Sequence, residues 1–459
     1  MRALLASRAR HQAGNGIWDM FSGEGMAEEM SSAPAAHPDA GGCPGGFGRR
    51  SFLNGLAATG VIAGAGTVAG KGPSVVAERL AGQNLPAVPF YGEHQAGIIS
   101  PPPDSRQAVG NFVAFDVTAA SRKELTDLFR ALTAQAAFLT AGGTAPVAPA
   151  GSPQPDDGIL GPEIPADGLT ITVGVGASLF DGRYGLAPRK PAQLVTMKPF
   201  RHDSLDPALS DGDVLIQLCA GTRDTVVHAL LEIIAHGSGA MKPRWSINGL
   251  HSPPRPVGIG RDFFGFKDGI SNPDPASTAA MNQWVWVQPS TGEPAWAAGG
   301  TYQVVRIVRF DVETWQGVPL AQQERIFGRR KVSGAPMYAL DPNASDQLDP
   351  IYTNDPQGLI TPLDCHIRLA NPQTPETAST STILRRSYEY QASPDIGGHP
   401  DVGHAFCCFQ RHLNSYIAMQ ARLENELLVP FITPRGGGYF FVLPGVRDSR
   451  DYFASGLLA

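Results

Sequence analysis

The chain has 459 residues, 42% of them hydrophobic and 17% charged, which is enough apolar material for a sizeable core and enough length for two or three domains. A net charge of −6 without any long basic run excludes a strong field for nucleic acid or for an anionic membrane surface. The five cysteines, Cys43, Cys219, Cys365, Cys407 and Cys408, form no CxxC or CxxCH, which argues against a disulfide framework, a zinc ribbon and a covalent c-type attachment. They read as small buried hydrophobes.

The first feature along the chain is an address. Arg49-Arg50 precedes Ser51-Phe52-Leu53 and an uncharged Gly/Ala-rich stretch that Lys71 closes. Gly55, Gly60, Gly64 and Gly66 make this stretch a poor spanning helix, which would need about 20 strongly apolar residues. A twin arginine, Phe-Leu and a weak apolar region form the pattern of a twin-arginine export signal, so the protein is expected in the periplasm or outside the cell, with no stable membrane span. That route carries folded proteins and suits a chain that loads a cofactor before export. Residues 1–84 are set aside as extension and signal, with Met20, Met26 and Met30 as alternative starts and cleavage expected between Ala69 and Ala81.

Beyond the signal, Leu85 to Pro103 reads as extended and Asn111–Val117 as a strand. Ser121-Arg122-Lys123-Glu124 is a capping box that opens a helix to about Leu139. Thr140–Gly168 is rich in Pro, Gly and Ala and reads as a surface insertion. Leu169–Val175 and Val214–Cys219 read as strands, Thr222–His236 as a helix, and a short strand follows Trp245. The rhythm then repeats: Thr301–Phe310 as a strand, Val312–Phe327 as largely helical despite Pro319, Ala405–Gln410 as a strand, Leu413–Leu428 as a helix and Tyr439–Leu443 as a closing strand. Each half approximates β-α-β-β-α-β. The expected fold is therefore α+β, with two ferredoxin-like domains over 85–264 and 265–459, each an antiparallel sheet with helices packed on it.

Three stretches carry candidate chemistry. In Gly265-Phe266-Lys267-Asp268-Gly269-Ile270-Ser271-Asn272-Pro273 glycines flank an acid, so the backbone turns tightly and can approach a ligand; alone, it is an ordinary turn. His366 in Cys365-His366-Ile367-Arg368-Leu369-Ala370-Asn371-Pro372 is, alone, a core histidine, and Ile383-Leu384-Arg385-Arg386-Ser387-Tyr388 is a basic strand or turn.

In this order the three stretches resemble the dye-decolourising (DyP-type) haem peroxidases, specifically the exported deferrochelatase/peroxidase group. The resemblance extends through Tyr91-Gly92-Glu93-His94-Gln95-Ala96-Gly97, Gly174-Val175-Gly176-Ala177-Ser178-Leu179-Phe180, Glu313-Thr314-Trp315, Gln323-Glu324-Arg325 and Gly436-Gly437-Gly438-Tyr439-Phe440-Phe441. It implies one non-covalent haem b per chain in a cavity of the C-terminal half, with His366 as the proximal iron ligand. It implies Asp268 as the distal proton shuttle and Arg385 as the fixed charge that stabilises the developing anion, Arg386 being the alternative arginine. Gly269, Ile270 and Ser271 would present N–H groups to a propionate, Asn371, Pro372 and Gln373 would border the macrocycle beside Arg385, and Phe406 would pack on the distal side.

The implied activity is reduction of hydrogen peroxide by way of a ferryl intermediate, with one-electron oxidation of bulky phenolic or dye-like donors. The alternative is haem-iron acquisition, with iron released from an intact porphyrin alongside iron-uptake permease components. Homo-oligomers are common in the family. Tyr388, Tyr390, Trp315 and Tyr439 are candidate electron relays to the surface, most of them reading instead as core. The family's acid that bonds the ligand histidine has two candidates here, Glu424 and Glu426.

Overall fold

The computed structural model describes residues 85–99, 106–237, 239–255 and 258–459, so the extension and the export signal lie outside the described residues. The N-terminal half contributes β1 (Val109–Val117), α1 (Arg122–Ala141), β2 (Thr170–Gly176), β3 (Val214–Ala220), α2 (Arg223–His236) and β4 (Met241–Leu250). After a short helix α3 (Thr278–Trp284), the second half contributes β5 (Thr301–Phe310), α4 (Val312–Gln316), α5 (Leu320–Phe327), α6 (His366–Ala370), β6 (Leu384–Arg385), β7 (Tyr388–Gln391), β8 (Val402–Gln410), α7 (Leu413–Leu423) and β9 (Ile432–Val442). The strand order is β4-β1-β3-β2 in the first half and β9-β5-β8-β7 in the second, the ferredoxin-like order in both.

The two sheets are joined edge to edge. Gly174–Gly176 of β2 pair with Phe440–Val442 of β9, and Leu250 of β4 pairs with Glu389 of β7, so the antiparallel ladder closes on itself. Closure leaves few free strand edges. It also explains why the strands read as near-continuous apolar runs rather than alternating ones, because both faces are covered. Successive side chains point to opposite faces. Phe112, Ala114, Leu215, Val305, Ile307, Cys407, Phe409 and Phe440 fill one buried cluster. Val113, Phe115, Ile216, Val304, Cys408 and Phe441 pack in another with Leu125, Phe129 and Leu132 of α1 and Tyr416 and Met419 of α7. A third, aromatic cluster of Phe264, Phe266, Phe310, Trp315 and Phe431 sits under the segment that leads to Asp268.

Local chemistry sets several boundaries. Ser121 caps α1, its hydroxyl accepting the Glu124 N–H at 3.2 Å while Glu124 reaches back to the Ala120 N–H at 2.9 Å. Pro319 breaks the expected 312–327 helix in two, because it lacks an N–H and stands at the N-cap of α5. The helix expected to run to Leu428 ends at Leu423 and a 3-10 turn follows at Val429–Phe431. The strand expected after Trp245 spans ten residues with Trp245 near its middle, and β7 was not expected as a strand. The closing strand begins at Ile432 and includes the three consecutive glycines. Within the 140–168 insertion, Gly143–Thr144 pair with Glu163–Ile164. Cys219, Cys365, Cys407 and Cys408 are free and buried, as expected, and so are Tyr388, Tyr390, Trp315 and Tyr439. No helix among the described residues is long and apolar enough to cross a membrane.

Candidate active site

His366 opens the five-residue helix α6, whose position is fixed from both ends. Arg422 of α7 donates to the Leu369 and Ala370 carbonyls at 2.9 and 3.0 Å, satisfying backbone acceptors at the helix C-terminus. Arg368 donates to the Thr361 and Asp355 carbonyls at 2.8 and 2.9 Å, and the Asp355 carboxylate collects the N–H groups of Leu359, Ile360 and Thr361. Gly328 makes the close approach of α5 to α6 possible: its φ is +81°, and a Cβ there would lie 2.7 Å from both Cys365 Sγ and Ile367 Cγ1.

The end of α7 at Leu423 turns Glu426 inward. The Leu427 N–H donates to the Asp364 carbonyl at 3.1 Å, and the buried Glu426 carboxylate lies 2.5 Å from His366 Nδ1. This short contact between an imidazole N–H and a carboxylate fixes the tautomer and leaves Nε2 as the available donor. Of the two candidate acids, Glu424 faces elsewhere and accepts the Arg201 N–H at 3.1 Å.

Asp268 stands in its glycine-flanked loop, with Gly265 at φ +87° and Gly269 at +93°. Arg385 Nη1 donates to Asp268 Oδ1 at 3.0 Å. Arg385 is held through its backbone by Asn272: the amide oxygen accepts the Arg385 N–H at 2.9 Å, and the amide nitrogen donates to the Arg385 carbonyl at 2.8 Å. The final residues of the GFKDGISNP stretch thus clamp the arginine that its acid pairs with. His404 on β8 brings Nε2 to 3.5 Å from Asp268 Oδ2, and its buried Nδ1 has no hydrogen-bond partner among the described residues.

Burial would raise the Asp268 carboxyl, but Arg385, His404 and the Gly269 N–H outweigh it and hold the group below the usual carboxylate range. His404 is pushed down by burial and, less, by Arg385 and His366, against the pull of Asp268. The cleft beside the pair is also lined by Arg106, His251 and Glu389. Burial, then Arg106 and Arg386, push His251 down to about 3. Burial, then Asp268, push Glu389 up to about 8. The two carboxyls are thus pushed apart, Asp268 down and Glu389 up, a separation that assigns acid–base roles.

Arg385 and Asp268 are within electrostatic reach of the His366 ring, as His366 is of His404. The adjacent Arg386 instead turns into the N-terminal half, where its guanidinium meets the Gly97 carbonyl and Gln107 Oε1. Ser271 lies 3.5 Å from Arg329, a buried guanidinium that, among the described residues, bonds the Gly334 and Asp346 carbonyls and this hydroxyl. Phe406 lies between His404 and Tyr416, at centroid distances of 6.2 and 5.9 Å. Asn371, Pro372 and Gln373 follow α6 without a recorded contact to Asp268 or Arg385; the Asn371 side chain accepts the Gln373 N–H at 3.2 Å. His404, Asn272 and Arg329 were not singled out in the sequence.

The residues present fit a haem. A buried acid orients an imidazole that keeps one nitrogen free, as an iron ligand requires. A buried guanidinium without a carboxylate within ion-pair distance, among the described residues, suits a propionate. The aromatic ring of Phe327 lies 5.9 Å from the His366 ring and gives the pocket an apolar wall.

The chain matches family models on both sides of this site: residues 95–251 match the N-terminal part of Dyp-type peroxidases and residues 260–447 the C-terminal part. It is 48% identical to a deferrochelatase of Escherichia coli (strain K12) over 377 residues, 81% of this chain and 87% of that protein. It is 47% identical to a deferrochelatase of Yersinia pestis over 375 residues, 81% and 84% of the two chains. Among solved structures, ferric DtpA from Streptomyces lividans superposes with a TM-score of 0.72 at 31% identity, covering 82% of this chain and 98% of that one. A DyP-type peroxidase from Cellulomonas bogoriensis gives 0.71 at 32%, covering 82% and 99%.

Proposed function

The chain belongs to the Dyp-type peroxidase family of haem-dependent oxidoreductases, and from that premise we propose that it reduces hydrogen peroxide at a site built from His366, Asp268 and Arg385, taking electrons from bulky aromatic donors. The observation that carries this reading is the 3.0 Å pairing of Arg385 with Asp268 within electrostatic reach of a histidine whose Nδ1 lies 2.5 Å from Glu426. His366 Nε2 would hold the iron, Arg329 and the Gly269, Ile270 and Ser271 N–H groups would hold the propionates, and Asn371, Pro372, Gln373 and Phe406 would border the ring. Haem, when bound, supplies the redox centre at which the peroxide is reduced.

The protein's own contribution is proton placement. Ionised Asp268 takes a proton from one peroxide oxygen and delivers it to the other, which departs as water, so the acid ends as it began. Arg385 keeps Asp268 ionised and faces the negative charge that builds on the departing oxygen. Glu389, its carboxyl pushed up to about 8, adds no competing negative charge beside Asp268 at neutral pH. In stopped-flow mixing with peroxide, D268N and R385L are expected to keep their Soret band and react about 10²- to 10⁴-fold more slowly than wild type. A wild-type rate in either variant would remove that residue from the reaction.

The name deferrochelatase, carried by relatives 46–48% identical to this chain, supports a second reading in which iron is released from haem with the porphyrin intact. Porphyrin fluorescence appearing in more than one equivalent per chain on incubation with haem would favour it, whereas donor oxidation without free porphyrin favours the peroxidase. Export through the Arg49-Arg50 signal rests on the sequence pattern.

A further inference from the structure

A second group of ligand-type side chains lies outside the haem site. His228 and Glu232 stand four residues apart on α2, so they share one face of the helix. The 145–161 part of the surface insertion lays Asp156 and Asp157 against them. One donor atom from each of the four residues lies within 4.8 Å of the other three. Asp157 Oδ1 is 2.8 Å from His228 Nδ1, and the Asp157 N–H donates to Glu232 Oε1 at 3.1 Å.

Three carboxylates around an imidazole are by themselves an ordinary way to fasten a loop. The distinguishing observation is the other ring nitrogen. His228 is 1% exposed, and its Nε2 is buried without a hydrogen-bond partner, facing Asp156 Oδ2 at 3.8 Å. A buried polar atom is rarely left without a partner. With Nδ1–H donated to Asp157, Nε2 carries a lone pair directed at a carboxylate, an arrangement that a proton or a cation between them would resolve. This is the carboxylate–histidine–metal geometry, in which the acid on the far nitrogen fixes the tautomer and orients the ring.

We propose that Asp156, His228 and Glu232, with Asp157 orienting the imidazole, bind one divalent first-row transition ion of the zinc class. An imidazole with carboxylates suits such an ion; calcium and magnesium prefer all-oxygen shells, and no thiolate is present to select a soft ion. Zinc bonds to nitrogen and oxygen of about 2.0–2.2 Å in a tetrahedral site set the donors about 3.3–3.6 Å apart, so the 3.8 Å between His228 Nε2 and Asp156 Oδ2 closes by a few tenths of an ångström and the widest spacing in the group by about 1 Å. Bound there, the ion neutralises the acidic cluster and pins the insertion to α2.

The test uses the full-length, haem-loaded protein after chelator treatment and desalting. Titration calorimetry is expected to show one Zn²⁺ per chain at micromolar Kd or tighter, with Mg²⁺ and Ca²⁺ at least 100-fold weaker. The D156N/E232Q variant preserves side-chain shape and is expected to lose at least 100-fold in zinc affinity while keeping its Soret band. Should that variant fold poorly, hydrogen exchange on wild-type protein decides: zinc is expected to slow exchange across 145–161 and in α2 around His228. Failure of wild type to bind zinc stoichiometrically, undiminished binding in the folded variant, calcium binding as tight as zinc, or unchanged exchange would each overturn the assignment.

Discussion

Glu426 offers a direct handle on the proposed haem site, because its carboxylate bonds His366 Nδ1, the nitrogen opposite the one proposed to hold iron. Its carboxylate is buried and 2.5 Å from His366 Nδ1, so the interaction is a charge-assisted hydrogen bond in a low-dielectric setting. Such bonds contribute about 1.5–3 kcal/mol. Loss of the acid behind a metal-bound histidine costs about 10- to 100-fold in metal affinity, which is the same range in energy. E426A, which removes both the charge and the acceptor, is therefore expected to weaken haem binding by roughly 10- to 100-fold. E426Q keeps an acceptor for the N–H and should lose less. There is a second consequence with a definite sign. The anionic acceptor draws the Nδ1 proton and makes the imidazole a stronger donor, which favours ferric over ferrous iron, so both variants are expected to raise the reduction potential. The assay is haem transfer to an apo-myoglobin scavenger together with spectroelectrochemical titration. Wild-type haem affinity and potential in E426A would refute the reasoning, since the contact would then have no bearing on the iron.

Two further outcomes follow from particular contacts. Glu389 is buried and its carboxyl is raised from near 4.5 to about 8, so the folded state favours the protonated acid; its share of stability is full at acidic pH and is lost as pH rises from about 4.5 to 8. E389Q mimics the neutral acid and is expected to flatten the fall in Tm over that window, measured by calorimetry; parallel Tm–pH curves would contradict this. G328A adds a Cβ at φ +81°, 2.7 Å from Cys365 Sγ and Ile367 Cγ1, and is expected to cost about 1–3 kcal/mol and to loosen haem, read as a lower midpoint in urea and a smaller Soret absorbance; an unchanged midpoint would contradict it.

Local signals were the legible ones. The Ser121/Glu124 box defined the start of α1, and Thr301–Phe310 matches β5 residue for residue, because each is fixed by neighbours in sequence. The paired β-α-β-β-α-β halves were visible for the same reason. Other features depend on partners remote in sequence. In β7, Glu389 and its neighbours are strand-like only because Val402–Ala405 and Leu250 pair with them. The Met241–Leu250 strand was reduced to a fragment because Pro243 and Gly249 mark a turn unless a neighbour such as β1 completes the ladder.

At the site, the resemblance of three motifs, in order, to the DyP-type peroxidases singled out His366, Asp268 and Arg385. Asn272 was inside a quoted motif, yet its role appears only when Arg385, 113 residues later, folds onto it. Glu426 becomes the partner of His366 because α7 ends at Leu423, an end the helical periodicity did not mark. His404 sits on an otherwise apolar strand, where a histidine is ordinarily core; only the approach of Asp268 gives it a different meaning.

The central claim is that the His366 imidazole is the protein's bond to haem iron, and absorption and resonance Raman spectra of wild type and H366A, each titrated with haem, address it most directly. The account predicts that H366A folds but lacks the wild-type Soret spectrum and the iron–imidazole stretch, and that added imidazole restores both. A folded H366A that binds haem with the wild-type spectrum would contradict it.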